Sequence, residues 1–238
     1  MSKPFHFKQF SIEQDLCAMK VSLDACLFGA VCEVATAKRI LDIGTGSGLL
    51  SLMLAQRCNA QIDAVEIDAD AYKQAILNFQ NSPFNQRIKA HQSSIQNFVN
   101  AQKPHQYDTI ICNPPFFTHQ LASQNPKRHL ARHNDALSFE DLAQSITHCL
   151  HPAGKTWLLL PPQEQQNFDK QANAHSLYLQ THFKILAREN TPSKLGIFVY
   201  SKSPSKLIEE QTISVYQADS TEYTQEFKGL LRDYYLKL

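Results

Sequence analysis

The chain has 238 residues, 43% of them hydrophobic and 19% charged, and a formal net charge of +1. The length suits one domain with a substantial core, and the balance is that of a globular chain rather than a disordered one. The near-neutral charge excludes a protein that coats nucleic acid through bulk charge, and no stretch approaches the roughly 20 apolar residues of a membrane span.

Residues 1–7 (MSKPFHF) lack the apolar core of a secretory signal, so a cytoplasmic location is expected. The six cysteines show no C-x-x-C pair and read as reduced, buried thiols that pack as small hydrophobes. His129 and His133 are spaced like metal ligands, but Lys127, Arg128 and Arg132 beside them oppose a cation, and no metal is expected. From Arg39 onward, short apolar runs alternate with amphipathic stretches. Residues 39–43 read as a strand, 48–56 as a helix, 61–67 as a strand, 69–80 as a helix and 88–91 as a short strand. A helical connection over 94–100, a strand over 107–112 (YDTIIC), a helix over 139–150 and a strand over 156–160 continue the pattern. Residues 195–200 and 212–216 read as two adjacent late strands that finish the sheet, one of them antiparallel. Residues 223–238 read as an amphipathic helix whose Phe227, Leu230, Leu231, Tyr234 and Tyr235 pack into the core. Continuous apolar strands between helices predict an α/β, doubly wound, mostly parallel sheet of seven strands.

Asp42-Ile43-Gly44-Thr45-Gly46-Ser47-Gly48 joins a strand to a helix. The spacing is G-x-G-x-G, not the G-x-G-x-x-G that seats a pyrophosphate. Asp42 repels a phosphate but suits a cationic or amino group. Glu66 ends the next strand about twenty residues on, where a carboxylate accepts the two hydroxyls of a ribose. Loop, preceding acid and spaced Glu together fit a nucleoside cofactor that carries an amino acid and no phosphate. These residues resemble the class I S-adenosylmethionine methyltransferases. The resemblance implies a Rossmann-like fold, S-adenosylmethionine as cofactor, Gly44, Gly46 and Gly48 as its cradle, and Glu66 at its ribose. The acid that commonly binds the cofactor's adenine amine has Ser94 as its counterpart here.

Asn113-Pro114-Pro115-Phe116 follows the fourth strand, at the carboxyl end where open α/β sheets bind ligands. The lone pair of an aromatic amine is delocalised, so two acceptors on its N–H groups help to free it for attack. The Asn113 oxygen and the Pro114 carbonyl can be those acceptors; Pro114 and Pro115 stiffen the loop, and Phe116 can stack on the ring. The motif resembles the N-P-P-[FY] signature of amino-methylating enzymes.

Residues 7–10, 17–24 and 27–30, with Leu41 to Gln56, Asn113 to Phe116 and Ala131-Arg132, resemble the bacterial valine-tRNA adenine N6-methyltransferases. The resemblance implies methyl transfer to the adenine 3′ of the anticodon. It also implies that residues 1–35 form an extension on the cofactor and substrate side of a methyltransferase domain over 36–238, with Lys20 and Asp24 near the cofactor. Lys127, Arg128 and Arg132 are the expected phosphate contacts to tRNA, joined by Lys3, Lys8, Lys194, Lys202 and Lys206. Competing readings are a ribosomal-RNA guanine N2-methyltransferase, a protein-glutamine N5-methyltransferase, a nicotinamide dehydrogenase and a non-catalytic RNA-binding module. The loop spacing and the N-P-P-F motif disfavour the dehydrogenase, and the intact Asn113 and Glu66 disfavour the module.

Overall fold

Strand β3 (Arg39–Ile43) shows how this sequence makes a two-faced sheet. Ile40 joins one buried apolar cluster while Leu41 and Ile43 join another, because successive side chains of a strand point to opposite faces. Strands β6 (Tyr107–Cys112) and β7 (Leu150–Leu160) divide in the same way: Ile111, Trp157 and Leu159 face one cluster, and Ile110, Cys112, Leu158 and Leu160 the other. Each fully buried side chain of this kind stabilises the fold by about 1.5–3 kcal/mol before the entropy cost of ordering it.

The computed structural model describes residues 3–114 and 137–238. Between β3 and β6 the chain passes through α2 (Leu49–Arg57), β4 (Gln61–Glu66), α3 (Ala69–Gln80), β5 (Ile88–Gln92) and α4 (Ile95–Asn100). Helix α5 (Phe139–Cys149) leads into β7, and then come α6 (Pro162–Ala174), β8 (Tyr178–Leu186), β9 (Leu195–Ser201), β10 (Glu209–Ser214) and α7 (Gln225–Leu231). The main sheet has the order β10-β8-β9-β7-β6-β3-β4-β5. All its pairings are parallel except those of β9, which runs antiparallel to both β7 and β8. This is the expected doubly wound α/β sheet, with one strand more than the seven expected. The extra strand is β8, whose YLQTHFKIL sequence mixes polar and apolar residues and is mostly half-buried, so it carries no continuous apolar run. It lies between β9 and β10, and the two late strands are therefore not neighbours.

The chain's end also departs from expectation. The helix stops at Leu231, and the next turn presents Tyr234 to the core, where its hydroxyl donates to the Met53 carbonyl at 2.9 Å. Phe227, Leu231 and Tyr234 are buried as core residues. The six cysteines are free and buried. At the other end, β1 (Phe5–His6) and β2 (Ser11–Ile12) form a small antiparallel hairpin, and α1 (Leu23–Val31) packs on α2 and α7. Phe7, Phe10, Ile12, Leu27 and Phe28 thereby enter the same cluster as Ile40 and Met53. Among the described residues no helix is long and apolar enough to cross a membrane.

Candidate active site at the carboxyl ends of the strands

Register lines up the motif residues. Ile43 pairs with Val65 on one side and Cys112 on the other, so the following residues Glu66, Gly44 and Asn113 stand in a row. Glu66 pairs in turn with Gln92, which brings Ser93 and Ser94 to the far end of that row. Neighbouring strands are about 4.8 Å apart, so the row from Gln92 to Asn113 spans roughly 15 Å, the length of a nucleoside with a short side chain.

The glycine loop folds over the end of β4, with the Gly44 and Thr45 N–H groups donating to the Val65 carbonyl at 2.9 and 3.0 Å. Gly48 has φ +84° and caps α2; a Cβ there would lie 2.4 Å from the Phe79 ring, so only glycine fits. A Cβ on Gly44 or Gly46 would meet nothing within 4 Å, which marks open space over that part of the loop.

Two carboxylates hold the loop from different sides. Asp42 is wholly buried beneath it, and its Oδ2 accepts from Thr45 Oγ1 and Ser51 Oγ, each at 2.7 Å. Burial lifts its carboxyl to about 6 against the opposing pull of those two donors, and its Oδ1 has no partner among the described residues. Asp42 thus holds the loop from below through Thr45 and Ser51. Glu66 accepts from the Gly46 N–H at 2.8 Å through Oε2 and from the Asp68 N–H at 2.9 Å through Oε1. Each oxygen keeps a lone pair, so the carboxylate is fixed in place and still able to accept hydroxyls.

At the other end of the row, Asn113 Oδ1 is buried and has no hydrogen-bond partner among the described residues. An unsatisfied buried acceptor costs about 1–3 kcal/mol, and a donor supplied from outside the chain removes that cost. Pro114 is buried beside it. Pro115, Phe116, Lys127, Arg128 and Arg132 lie outside the described residues, as do His129 and His133.

Ser94 caps α4, its hydroxyl accepting the Asn97 N–H at 3.2 Å while its own proton stays available. Lys20 is exposed, and its ammonium donates to the Gln14 carbonyl. Asp24 sits half-buried in the first turn of α1 with no hydrogen-bond partner among the described residues, and burial raises its pKa. The remaining lysines separate. Lys194 precedes β9, whose Gly196 pairs with Leu160, so it shares the Asn113 end of the sheet. Lys202 donates to the Leu150 carbonyl at the start of β7, and Lys206 lies in the same connection to β10, at the opposite end. Lys8 donates to the Arg232 carbonyl. Lys202 and Lys206 therefore cannot extend a surface around Asn113: strand direction puts them at the wrong end.

Sequence reading missed the residues that tie the N-terminal segment down. Asn78 and Gln74, one helical turn apart on α3, are both 2% exposed and bond to Glu13 and Leu16. The available signal was two amides on the same face of a helix as Ala71 and Ala75. Cys17 is buried, as the sequence implies; burial pushes its thiol up to about 11, with the negative charge of Glu66 adding to the shift and Lys20 opposing it.

Open space over Gly44 and Gly46, a fixed carboxylate with spare lone pairs and an amide oxygen with no partner among the described residues fit a nucleoside-bearing methyl donor. The model of the methyltransferase small domain matches residues 23–160. A tRNA1(Val) (adenine(37)-N6)-methyltransferase of Dyadobacter fermentans is 43% identical over 237 residues, covering 98% of this chain and 97% of that protein. One from Bacteroides fragilis is 37% identical over 239 residues, covering 100% of both. Among solved structures, a predicted O-methyltransferase from Agrobacterium tumefaciens superimposes with a TM-score of 0.67 at 18% identity, covering 88% of this chain and 96% of the other, which is a likeness of fold. The chain belongs to the methyltransferase small domain family and, with these relatives, to the family of the bacterial tRNA1(Val) (adenine(37)-N6)-methyltransferases.

Proposed function

We propose that this chain methylates the exocyclic N6 of the adenine 3′ of the anticodon in valine tRNA, using S-adenosylmethionine. The observation that carries the chemistry is the buried Asn113 Oδ1, one strand away from the glycine loop and without a hydrogen-bond partner among the described residues. When bound, the cofactor supplies an electrophilic methyl group on a sulfonium.

The rest is positioning by this chain's own groups. Glu66, locked by two backbone N–H groups, takes the ribose hydroxyls, and Ser94 can donate or accept at the cofactor's adenine. Asp42 stiffens the loop through Thr45 and Ser51. Lys20 and Asp24 stand on the cofactor side in the N-terminal extension. Asn113 Oδ1 and the Pro114 carbonyl accept the two N–H groups of the substrate amine, drawing its lone pair out of conjugation and aiming it along the row. No strong base is required, because the nitrogen's proton becomes acidic once the methyl is attached, and water takes it. Phe116 stacks on the base, a contact worth about 1–3 kcal/mol. A loop adenine must be splayed out before its amine reaches this depth, and Lys127, Arg128 and Arg132 hold phosphates while it is.

The test is transfer from radiolabelled S-adenosylmethionine to total tRNA lacking the modification, followed by nucleoside digestion and mass spectrometry. N6-methyladenosine in valine tRNA is expected. Methylguanosine, or label only in ribosomal RNA or protein, refutes the substrate assignment.

A further inference from the structure

We propose that Asn78 is a positioning residue that joins the N-terminal strap, residues 13–21, to the glycine loop, so that strap order and cofactor occupancy are coupled. Its side-chain amide is fully used. Oδ1 accepts the Glu13 N–H at 3.0 Å, and Nδ2 donates one proton to the Glu13 carbonyl at 2.8 Å and the other to the Ser47 carbonyl at 2.8 Å. One planar group thus reads two segments that are 31 and 65 residues away from it in sequence. Gln74 holds the strap alone, accepting the Leu16 N–H at 3.2 Å.

The strap is folded on itself as well as latched. Gln14 Oε1 accepts the Val21 N–H at 2.7 Å, and the Gln14 carbonyl accepts from Lys20. This turn carries the buried Cys17 into the field of Glu66 and Asp68. Leu16 and Met19, on either side of Cys17, stay about half exposed, as does Ile67 next to Glu66. Ile67, next in sequence to the fixed carboxylate, is exposed apolar surface of the kind a nucleoside would cover. From Ser47 the connection continues through the loop to Gly46, whose N–H holds Glu66. Strap, helix α3, loop and carboxylate form one hydrogen-bonded path, and a ligand on Glu66 and the loop rigidifies the strap through Asn78.

Asn78→Asp keeps the side chain's size and the acceptor for Glu13 N–H but turns lone pairs toward two carbonyls. The expected result is a rise of tenfold or more in the KM for S-adenosylmethionine, with kcat at saturating cofactor within about threefold of wild type; Gln74→Ala, which frees only the strap, gives a smaller rise. In the wild type, S-adenosylhomocysteine should slow hydrogen exchange at the amides of Glu13 and Leu16 together with those of the glycine loop, a readout that needs no variant to fold. Exchange slowed in the loop but not at Glu13 and Leu16 overturns the coupling. So does an Asn78→Asp protein with a lowered Tm and an unchanged KM. The inference rests on the cofactor reading: wild type that binds no S-adenosylhomocysteine overturns both, whereas binding without strap protection overturns this one alone.

Discussion

Glu66→Gln tests the division between binding and chemistry. The carboxylate accepts two backbone N–H groups, at 2.8 and 2.9 Å, and has two lone pairs left for a ribose. An amide keeps one oxygen and puts an NH₂ where the other was, so one backbone N–H faces a donor and one hydroxyl loses its charged acceptor. Hydrogen bonds to charged groups contribute about 1.5–3 kcal/mol each. Losing one or two therefore weakens cofactor binding by roughly 2–4 kcal/mol, on the order of 30- to 1000-fold in Kd. Glu66 and Asn113 are separated by β3, two strand spacings or about 10 Å, so the lost contact is the same in ground and transition states. Uniform binding lost in this way raises KM and leaves kcat at saturation unchanged. Calorimetry with S-adenosylhomocysteine and a steady-state cofactor titration measure the two quantities. An unchanged Kd would remove Glu66 from the cofactor site; a normal KM with a collapsed kcat would mean that it acts on the reacting atoms instead.

Asn113→Ala should bind S-adenosylhomocysteine as wild type does while losing on the order of a hundredfold or more in kcat, as for loss of one oriented group that acts on the reacting centre; unaltered turnover excludes the amide from the reaction. Gly48→Ala should destabilise the fold by roughly 2–5 kcal/mol in urea unfolding, adding a left-handed backbone penalty to the clash with Phe79, and a shift below 1 kcal/mol would mean that the loop relaxes freely. Asp42 titrates near 6 when folded against 3.8 as its ordinary value, so the stability it contributes is complete below about pH 4 and is lost as pH rises through 6, a change of about 3 kcal/mol. Asp42→Asn, which has no such titration, should therefore gain on wild type by about that amount between pH 4 and pH 7, and an identical difference in unfolding free energy at both pH values contradicts a buried, titrating carboxyl.

What could be read from the sequence was local in the chain. The row of Glu66, Gly44 and Asn113 needs only that each end or follow a strand, and apolar runs such as RILDI and YDTIIC mark those strands without tertiary information. The late half resisted for a physical reason. Strand β8 has Gln180, Thr181, His182 and Lys184 among its nine residues, and α6 opens PQEQQNFDK with Phe168 and Ala172 as its buried residues. Weakly apolar elements beside an antiparallel strand have no strong period to find. Tyr234 and Tyr235 fitted a helical stripe, yet Tyr234 is buried from a turn, because one hydrogen bond to Met53 and a place in the core outweigh another helical turn.

The helical face shared with Ala71 and Ala75 marks Asn78 and Gln74 for burial, but their partners were illegible for a different reason: a polar side chain on a helix says nothing of which distant backbone it serves. The same reasoning separates the two halves of the function. Placing a methyl donor and a flat amine is a matter of strand ends, which a parallel sheet brings together by register, and so a four-residue motif after one strand can point to a planar nitrogen without naming the molecule that carries it. Among the cations expected to hold the RNA, Lys194 and Lys202 lie at ends of the sheet that strand direction sets. Lys194 and Lys202 are eight positions apart on one antiparallel strand's flanks, and that strand carries them to opposite ends. A basic patch counted along the sequence therefore merges lysines that the fold sets at opposite ends of the sheet.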